Sequence, residues 1–456
     1  MTEGSLEAPT RHQIPWLEAD FIDPGKIDAE LHRIFDICHG CRRCFNLCDS
    51  FPRLFDLIDE SDSGELDSVV SADFKPVIDA CTLCDMCFMT KCPYVPPHQF
   101  DLDFPHLMLR YRAMEFSQGK VKFTHRQITE TDRNGKLAAP IAPLANWASK
   151  RGNALTRPLL EKTADIHQDA ELPEFQSVSL AKRDQKKPDD APENTPATLI
   201  KSGRKAALYA TCFVNYNNPE IGEATQAILA KNGVATEVVY PSCCGMPQLE
   251  QGDLARVAEN AKKVSAELVG WIDKGYDIVA LVPSCALMLK FEWPLIVPDD
   301  ENVKRLSEAT FDAAEYIVDI AKKEGLAAGL GKLDGGVSLH LACHARAQNM
   351  GPKAAEMLRL IPDAEIELIE RCSGHGGSWG IMKENFDVAL KIGRPAARKA
   401  LESKAKYVVS ECPLAREHML QGIEKLADEK TQEYIQSVQH PIQILARAYG
   451  LTGEAK

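Results

Sequence analysis

The chain has 456 residues, 45% of them apolar, and a formal charge of −13. That length supports roughly two to four domains with real cores, and the acidic balance excludes a broad nucleic-acid-binding face, which needs clustered Lys and Arg. The first twenty residues lack a basic stretch followed by an apolar core, so no export signal is expected; the 15 cysteines therefore read as metal or redox chemistry in a cytoplasmic protein, not as a disulfide framework.

After an acidic lead-in, Ile27, Leu31, Ile34 and Phe35 recur at helical spacing over residues 26–35 and deliver the first cysteine run, Cys38-x2-Cys41-x2-Cys44-x3-Cys48. A second apolar periodicity (Leu54, Leu57, Ile58) and a polar loop, DESDSGELDS, lead to the second run, Cys81-x2-Cys84-x2-Cys87-x4-Cys92, and Pro93, Pro96 and Pro97 then stop any helix. A single C-x2-C would suit zinc equally well. Two runs of four have the arithmetic of two 4Fe–4S cubanes, each taking three thiolates from one tight turn and a fourth from elsewhere. In two-cluster ferredoxins that fourth cysteine belongs to the other run. The expected ligand sets are Cys38, Cys41, Cys44 and Cys92 for one cluster, and Cys81, Cys84, Cys87 and Cys48 for the other. Asp49 follows Cys48 where a proline is usual, and the last gap of the second run is four residues. Both point to helical surroundings. Phe45, Met86, Phe88 and Met89 are candidates for excluding water. Arg42, Arg43 and Lys91 either favour the reduced clusters or are simply solvated, and His39 is not expected to be a ligand.

From Leu107 to Lys162 the pattern is helical without a motif. Within it, LAAPIAPLANWASKRGNALTRPLL carries Trp147, Lys150, Arg151 and Arg157 and suits either a membrane surface or, the expectation adopted, packing on the protein. Residues 167–205, with Pro173, Pro188, Pro192 and Pro196 among mixed charges, read as a mobile linker. Beyond Arg204, short β-rich runs alternate with long helical ones, the texture of α/β units around a mainly parallel sheet. Residues 278–298 look membrane-like, but Pro283, Lys290, Glu292 and Pro294 interrupt them, and a buried strand, a turn and a helix are expected instead.

This half is an internal repeat. Cys212, Cys243 with Cys244, and Cys285 each follow an expected strand, and Cys343, Cys372 and Cys412 repeat them at offsets of 131, 129 and 127 residues. Ligands bind at that carboxyl edge in open α/β sheets. In the first copy the Gly of Cys243-Cys244-Gly245 lets both thiols face one site, and four convergent cysteines suit an iron–sulfur cluster or zinc, the alternative being inert buried thiols. In the second copy the motif is Cys372-Ser373-Gly374, with His344 and His375 as candidates for the missing ligand. Three thiolates leave an open position, suited to chemistry or labile iron, or mark a decayed site. The expected divisions are 1–125, a helical ferredoxin-like domain; 126–204, a helical segment and linker; and repeats at 205–332 and 333–456.

The strings CHGCRRC, CTLCDMCFMTKCPYVPPH, CCGMPQ, LACHARAQNMG, CSGHGGSWG and ECPLAREHMLQG resemble the iron–sulfur subunits of anaerobic glycerol-3-phosphate dehydrogenase and glycolate oxidase. The repeats resemble the cysteine-rich (CCG) repeats of heterodisulfide reductase. The strings are also similar to an iron–sulfur oxidoreductase subgroup associated with rubrerythrin. The resemblance covers about residues 30–100 and 205–440. It implies a helical two-cluster ferredoxin-like domain followed by duplicated α/β repeats, and an electron relay between a flavin-containing dehydrogenase partner and a quinone or an iron protein such as rubrerythrin. Ala286-Leu287-Met288 after Cys285 lacks the second cysteine of the heterodisulfide reductase pattern, which argues against disulfide cleavage of that kind. No G-x-G-x-x-G opens a helix after a strand, as fits a subunit whose flavin sits on a partner. The alternatives are a self-contained reductase acting on a thiol, disulfide or peroxide at the C-terminal sites, and a redox sensor or cluster store. A cytoplasmic protein is expected, with peripheral inner-membrane contact as the further option.

Overall fold

The computed structural model describes residues 5, 7–185, 203–427 and 440–451. The helix Pro24–Cys41 starts where Asp23 accepts the Lys26 N–H and proline occupies the first turn, both strong helix starters. It buries Ile27, Leu31, Ile34 and Phe35, then runs past the expected end so that Cys38 and Cys41 ride on its last turn, and Arg42 ends it in a left-handed conformation. The helix Ser50–Asp59 buries Phe51, Leu54, Phe55 and Ile58, and the helix Phe104–Ser117, capped by Asp103, closes the core. Aromatic contacts lock it: Phe35 meets Phe74 edge-on at 5.0 Å and Phe51 meets Phe104 in a tilted pair at 4.7 Å.

Two parallel sheets follow. The first holds β1 (Lys205–Tyr209), β2 (Ala235–Val239), β3 (Asp277–Ala280) and β4 (Thr310–Asp312) in the order β2-β1-β3-β4. The second holds β5 (Val337–His340), β6 (Ile366–Ile369) and β7 (Tyr407–Ser410) in the order β6-β5-β7. Parallel pairing requires crossovers, supplied by the helices Pro219–Lys231, Leu254–Ile272 and Phe386–Glu402. β5 and β7 are buried at every position, as befits strands covered on both faces. β2-β1-β3 and β6-β5-β7 are the same arrangement, which is the duplication expected from the cysteine offsets. The helix Pro441–Ala448 crosses back: the Ala448 carbonyl accepts from Gly331 and the Tyr449 hydroxyl donates to Ala327.

Three segments bear on the sequence expectations. Residues 278–298 are β3 followed by helical turns, with Trp293 fully buried. Residues 167–185, expected within a linker, are pinned. Buried Arg157 donates to the carbonyls of Ser149, His167, Gln168 and Ala170, and the Gln176 N–H donates to Tyr216. Residues 186–202, the rest of that expected linker apart from 203–205, lie outside the described residues. The apolar stretch expected to pack on the protein instead exposes Leu137, Ile141, Leu144, Trp147, Leu155 and Leu159. No described helix is long and apolar enough to cross a membrane.

Candidate metal centre

The two N-terminal runs interlock. The Cys38 thiol is pushed well up by burial and by the neighbouring Cys92, Cys44 and Cys41. Cys44 is pushed up to about 12 by burial and then by Cys92 and Cys41, with Lys91 and Arg43 pulling the other way. A small cavity has Cys38, Cys41, Cys44 and Cys92 in its wall. In the second group, burial raises Cys48, and Cys84 and Cys81 raise it further; Cys87 feels Cys84, Cys81, Cys44 and Cys48 in the same way. The last cysteine of each run therefore stands with the first three of the other. The second loop wraps its thiols inward through left-handed residues, Leu83 (φ 48°) and Asp85 (φ 63°), and Arg112 donates to the carbonyls of Ile78 and Cys81. Met86 and Phe88 are buried around it, whereas Phe45 is 50% exposed. Arg42, read from the sequence as either favouring the reduced clusters or simply solvated, is paired with Asp59, which also holds His39.

In the first repeat the thiols are paired. Cys212 and Cys243 lie 3.8 Å apart, and Cys244 and Cys285 lie 3.2 Å apart. Gly245 turns at φ 85°, and its N–H donates to Cys243 at 3.5 Å. The Thr131 hydroxyl donates to Cys212 at 3.3 Å and lies 3.5 Å from Cys243. The buried Trp293 indole N–H fixes the Cys244 carbonyl at 3.0 Å. In the second repeat Cys343 is pushed up by burial and by Cys84, Cys372 and Cys412, and the Gly374 N–H donates to Cys372 at 3.3 Å. His375 lies beside His418, ring centroids 6.2 Å apart. Both rings keep a buried Nε2 without a partner and are held neutral by burial, at about 3 and about 4. His344 contacts the Leu83 carbonyl at 3.4 Å.

These groups form one file. Cys84 is pushed up to about 12 by burial and then by Cys372, and Cys412 is raised by burial and, among smaller effects, by Cys285. Both sheets aim their carboxyl edges, and the second N-terminal loop, at a shared cavity of about 1570 Å³ lined by Cys84, Cys244, Cys285, Cys343, Cys372 and Cys412. The loop after Cys372 is pressed so tightly into this junction that a Cβ on Gly376 would strike Thr82 and one on Gly377 would strike the Glu250 carboxylate. Glu250, pushed up to about 7 by burial despite Arg112, also lines the cavity.

The donor sets fit iron–sulfur groups. Burial and neighbouring thiols both raise Cys48, Cys84 and Cys87, so these ionise together only with a cationic centre among them, and Cys38, Cys41, Cys44 and Cys92 frame a cavity. Among the described residues no three His, Cys, Asp or Glu side chains are gathered as tightly as a single bound ion would hold them. Sequence reasoning missed Thr131, Glu250 and His418. Thr131 sits in otherwise plain helical texture, whereas Glu250 and His418 each lie six residues after a motif cysteine, Cys244 and Cys412.

Such an architecture, duplicated cysteine-tipped parallel sheets behind two interlocked cysteine runs, defines a class of cysteine-rich iron–sulfur subunits. Residues 206–290 and 337–415 match the cysteine-rich domain family CCG. The chain is 27% identical over 318 residues to one subunit of the anaerobic glycerol-3-phosphate dehydrogenase of Escherichia coli, covering 68% of this chain and 76% of that one. It is 30% identical over 189 residues to lactate utilization protein A of Geobacillus kaustophilus, covering 39% of this chain and 74% of that one. The Bacillus licheniformis lactate utilization protein A is 28% identical over 188 residues, 39% of this chain and 75% of that protein. The chain belongs to this family of cysteine-rich iron–sulfur subunits.

Proposed function

We propose that the chain is the electron-transfer subunit of an oxidoreductase, holding one 4Fe–4S cluster on Cys38, Cys41, Cys44 and Cys92 and another on Cys81, Cys84, Cys87 and Cys48. The observation that carries it is the continuous file of thiols from the first run, through the second, to both repeats. Bound there, the clusters supply one-electron carriers. The chain's own residues hold them with thiolates, keep water out with Met86 and Phe88, and set the order in which neighbouring groups meet. A further group on Cys212, Cys243, Cys244 and Cys285, and a more open one on Cys343, Cys372 and Cys412 with His375 as the candidate fourth ligand, would extend the file. The partner is a flavin-containing dehydrogenase, with a quinone or a rubrerythrin-like iron protein as acceptor.

The exposed Leu137, Ile141, Leu144 and Trp147 recur at helical spacing beside Lys150, which supports peripheral contact with a membrane surface from the cytoplasmic side. Flotation with anionic vesicles should be lost in Leu144→Glu/Trp147→Glu. The large cavity between the repeats favours a second reading, a self-contained reductase acting on a thiol, disulfide or peroxide there. Turnover by the lone chain with an artificial reductant would select it.

The deciding measurement is iron, acid-labile sulfide and zinc per chain on anaerobically purified protein. About eight iron and eight sulfide matches the two N-terminal clusters alone, and about twelve adds a group in the repeats. Stoichiometric zinc with little iron would refute the electron-transfer reading.

A further inference from the structure

The lead-in before the first helix is an arm laid across the molecule. Ser5 and Thr10 donate backbone N–H groups to Pro93 and Pro96, just past the second cysteine run, at 2.8 and 3.1 Å. Ile14 and the Trp16 indole donate to the carbonyls of Leu295 and Ile296, in the first repeat, at 2.8 Å each. Between these anchors Arg11 enters a buried acidic pocket. Its guanidinium grips both oxygens of Asp85 at 2.7 and 3.0 Å, Asp103 at 3.0 Å and Glu292 at 2.9 Å, and lies over the Phe88 ring, 4.4 Å from its centre. The three carboxylates come from three places. Asp85 is the left-handed residue between Cys84 and Cys87, Asp103 caps the helix Phe104–Ser117, and Glu292 lies in the helical run that starts at Pro283 and carries Cys285. His106 adds contacts to Asp103 and Glu292 at 3.3 Å each.

We propose that Arg11 is a positioning residue for the second cysteine run, latching residues 81–87 to the first repeat and supplying the charge that balances Asp85 beside the thiols. The proposal rests on the reading that Cys81, Cys84, Cys87 and Cys48 hold a cluster. The chemistry requires arginine. Asp85 and Glu292 are buried and Asp103 is half-buried, so one guanidinium faces three carboxylates, and only a planar fork reaches three acceptors at once. Without it Asp85 is a buried, unpaired anion, and a left-handed backbone at a non-glycine residue loses the contact that holds it.

The test uses the full, iron-loaded chain and compares wild type with Arg11→Met, Arg11→Lys and Glu292→Gln. Three readouts are taken: the midpoint potential of each N-terminal cluster by EPR-monitored titration, the rate of iron loss to a chelator, and amide exchange over residues 83–88. In Arg11→Met the second midpoint should fall while the first stays put, and iron loss from the second cluster and exchange over 83–88 should each speed up by about tenfold or more, the scale of breaking a buried ion pair. Arg11→Lys keeps the charge and loses the fork, so the second midpoint should stay near wild type while iron loss is intermediate. Glu292→Gln removes a negative charge from the same pocket and should raise the second midpoint, while iron loss and exchange over residues 83–88 should stay closer to wild type than in Arg11→Met, because Arg11 still grips Asp85. Unchanged midpoint, iron loss and exchange in Arg11→Met, or equal changes at both clusters, would overturn the proposal. If Arg11→Met does not fold, Arg11→Lys decides alone, with selective loss of the second cluster supporting the latch and equal loss of both overturning it. A wild-type chain with no cluster on the second run would remove the functional reading instead, and amide exchange, which needs no iron, would still judge the latch.

Discussion

The two repeats share a strand order and diverge at its edge. In the first, Cys243, Cys244 and Cys285 are buried, the four thiols are paired, and Thr131 closes over two of them. In the second, Cys372 opens onto the cavity, Ser373 replaces a thiol, and two imidazole nitrogens are left without partners. A duplicated scaffold has thus become one closed thiol site and one open site, and the difference lies in a few side chains at the strand ends, not in the sheets. If the closed site holds a cluster, Cys244→Ser or Cys285→Ser should each remove about four iron and four sulfide and leave the N-terminal EPR signals unaltered. Ser373→Cys, which restores the pair in the second repeat, should add iron there. No change in iron from either Cys244→Ser or Cys285→Ser would mean that the first repeat is empty and that the contrast is one of shape alone.

The matched glycines test the shape itself. Gly245 and Gly374 both follow the motif cysteines and both have positive φ, 85° and 79°. Around Gly245 a Cβ finds its nearest neighbours at 3.5 Å, whereas at Gly374 it would collide with the Ala389 carbonyl. Gly245→Ala therefore meets only the backbone penalty, about 1 kcal/mol. Gly374→Ala adds an overlap with backbone that cannot move and should cost about 3 kcal/mol or more, read as a drop in melting temperature several times larger. Equal costs would mean that the second repeat is looser than its packing indicates.

Acid should separate the repeats further. Residues 205–332 contain no histidine, while the second repeat buries His340, His418 and His440, each lowered by burial to about 4, and His375, lowered to about 3. The native state keeps these rings neutral, but the unfolded chain takes up protons from about pH 6.5 downward. Their contribution is present in full above that pH and is lost as pH falls toward 4. Asp312 and Glu411, raised by burial, pull the other way, one from each repeat. Amide exchange in β5, β6 and β7 should therefore rise between pH 7 and 5 ahead of β1, β2 and β3. Simultaneous loss of both sheets would count against separable repeats.

How much of this was legible follows from range. The strand-end cysteines were readable because alternating β-rich and helical runs place each one, and because offsets within four residues of each other betray a duplication. The helix before the first run was readable from Ile27, Leu31, Ile34 and Phe35, but not its extension through Cys41, which follows from packing and a left-handed stop at Arg42. Contacts that join distant segments left no local trace. Arg11 looked like part of an acidic lead-in, and Thr131 like an ordinary helix residue. Prolines and charges at 167–185 suggested a linker because nothing nearby in sequence reveals that Arg157 gathers its carbonyls. The exposed face at 137–159 was misjudged for the opposite reason: apolar spacing signals a face to be covered without saying by what.

The smallest expected effect isolates the closure of the first site. Valine at position 131 keeps the β-branched shape and deletes only the hydroxyl that donates to Cys212 at 3.3 Å and approaches Cys243 at 3.5 Å. One such bond is worth about 1 kcal/mol, so Thr131→Val should barely move the melting temperature. Hydrogen bonds to cluster sulfurs stabilise the more negative, reduced state, so a group held by Cys212 and Cys243 should become harder to reduce, while the N-terminal midpoints and any iron at Cys343, Cys372 and Cys412 stay as they were. A shift confined to the first repeat would tie Thr131 to that group's electronics. The same shift at the second repeat, which lies across the cavity from the hydroxyl, would mean that the valine acts through the packing of the whole junction and that the closed and open sites are not independent.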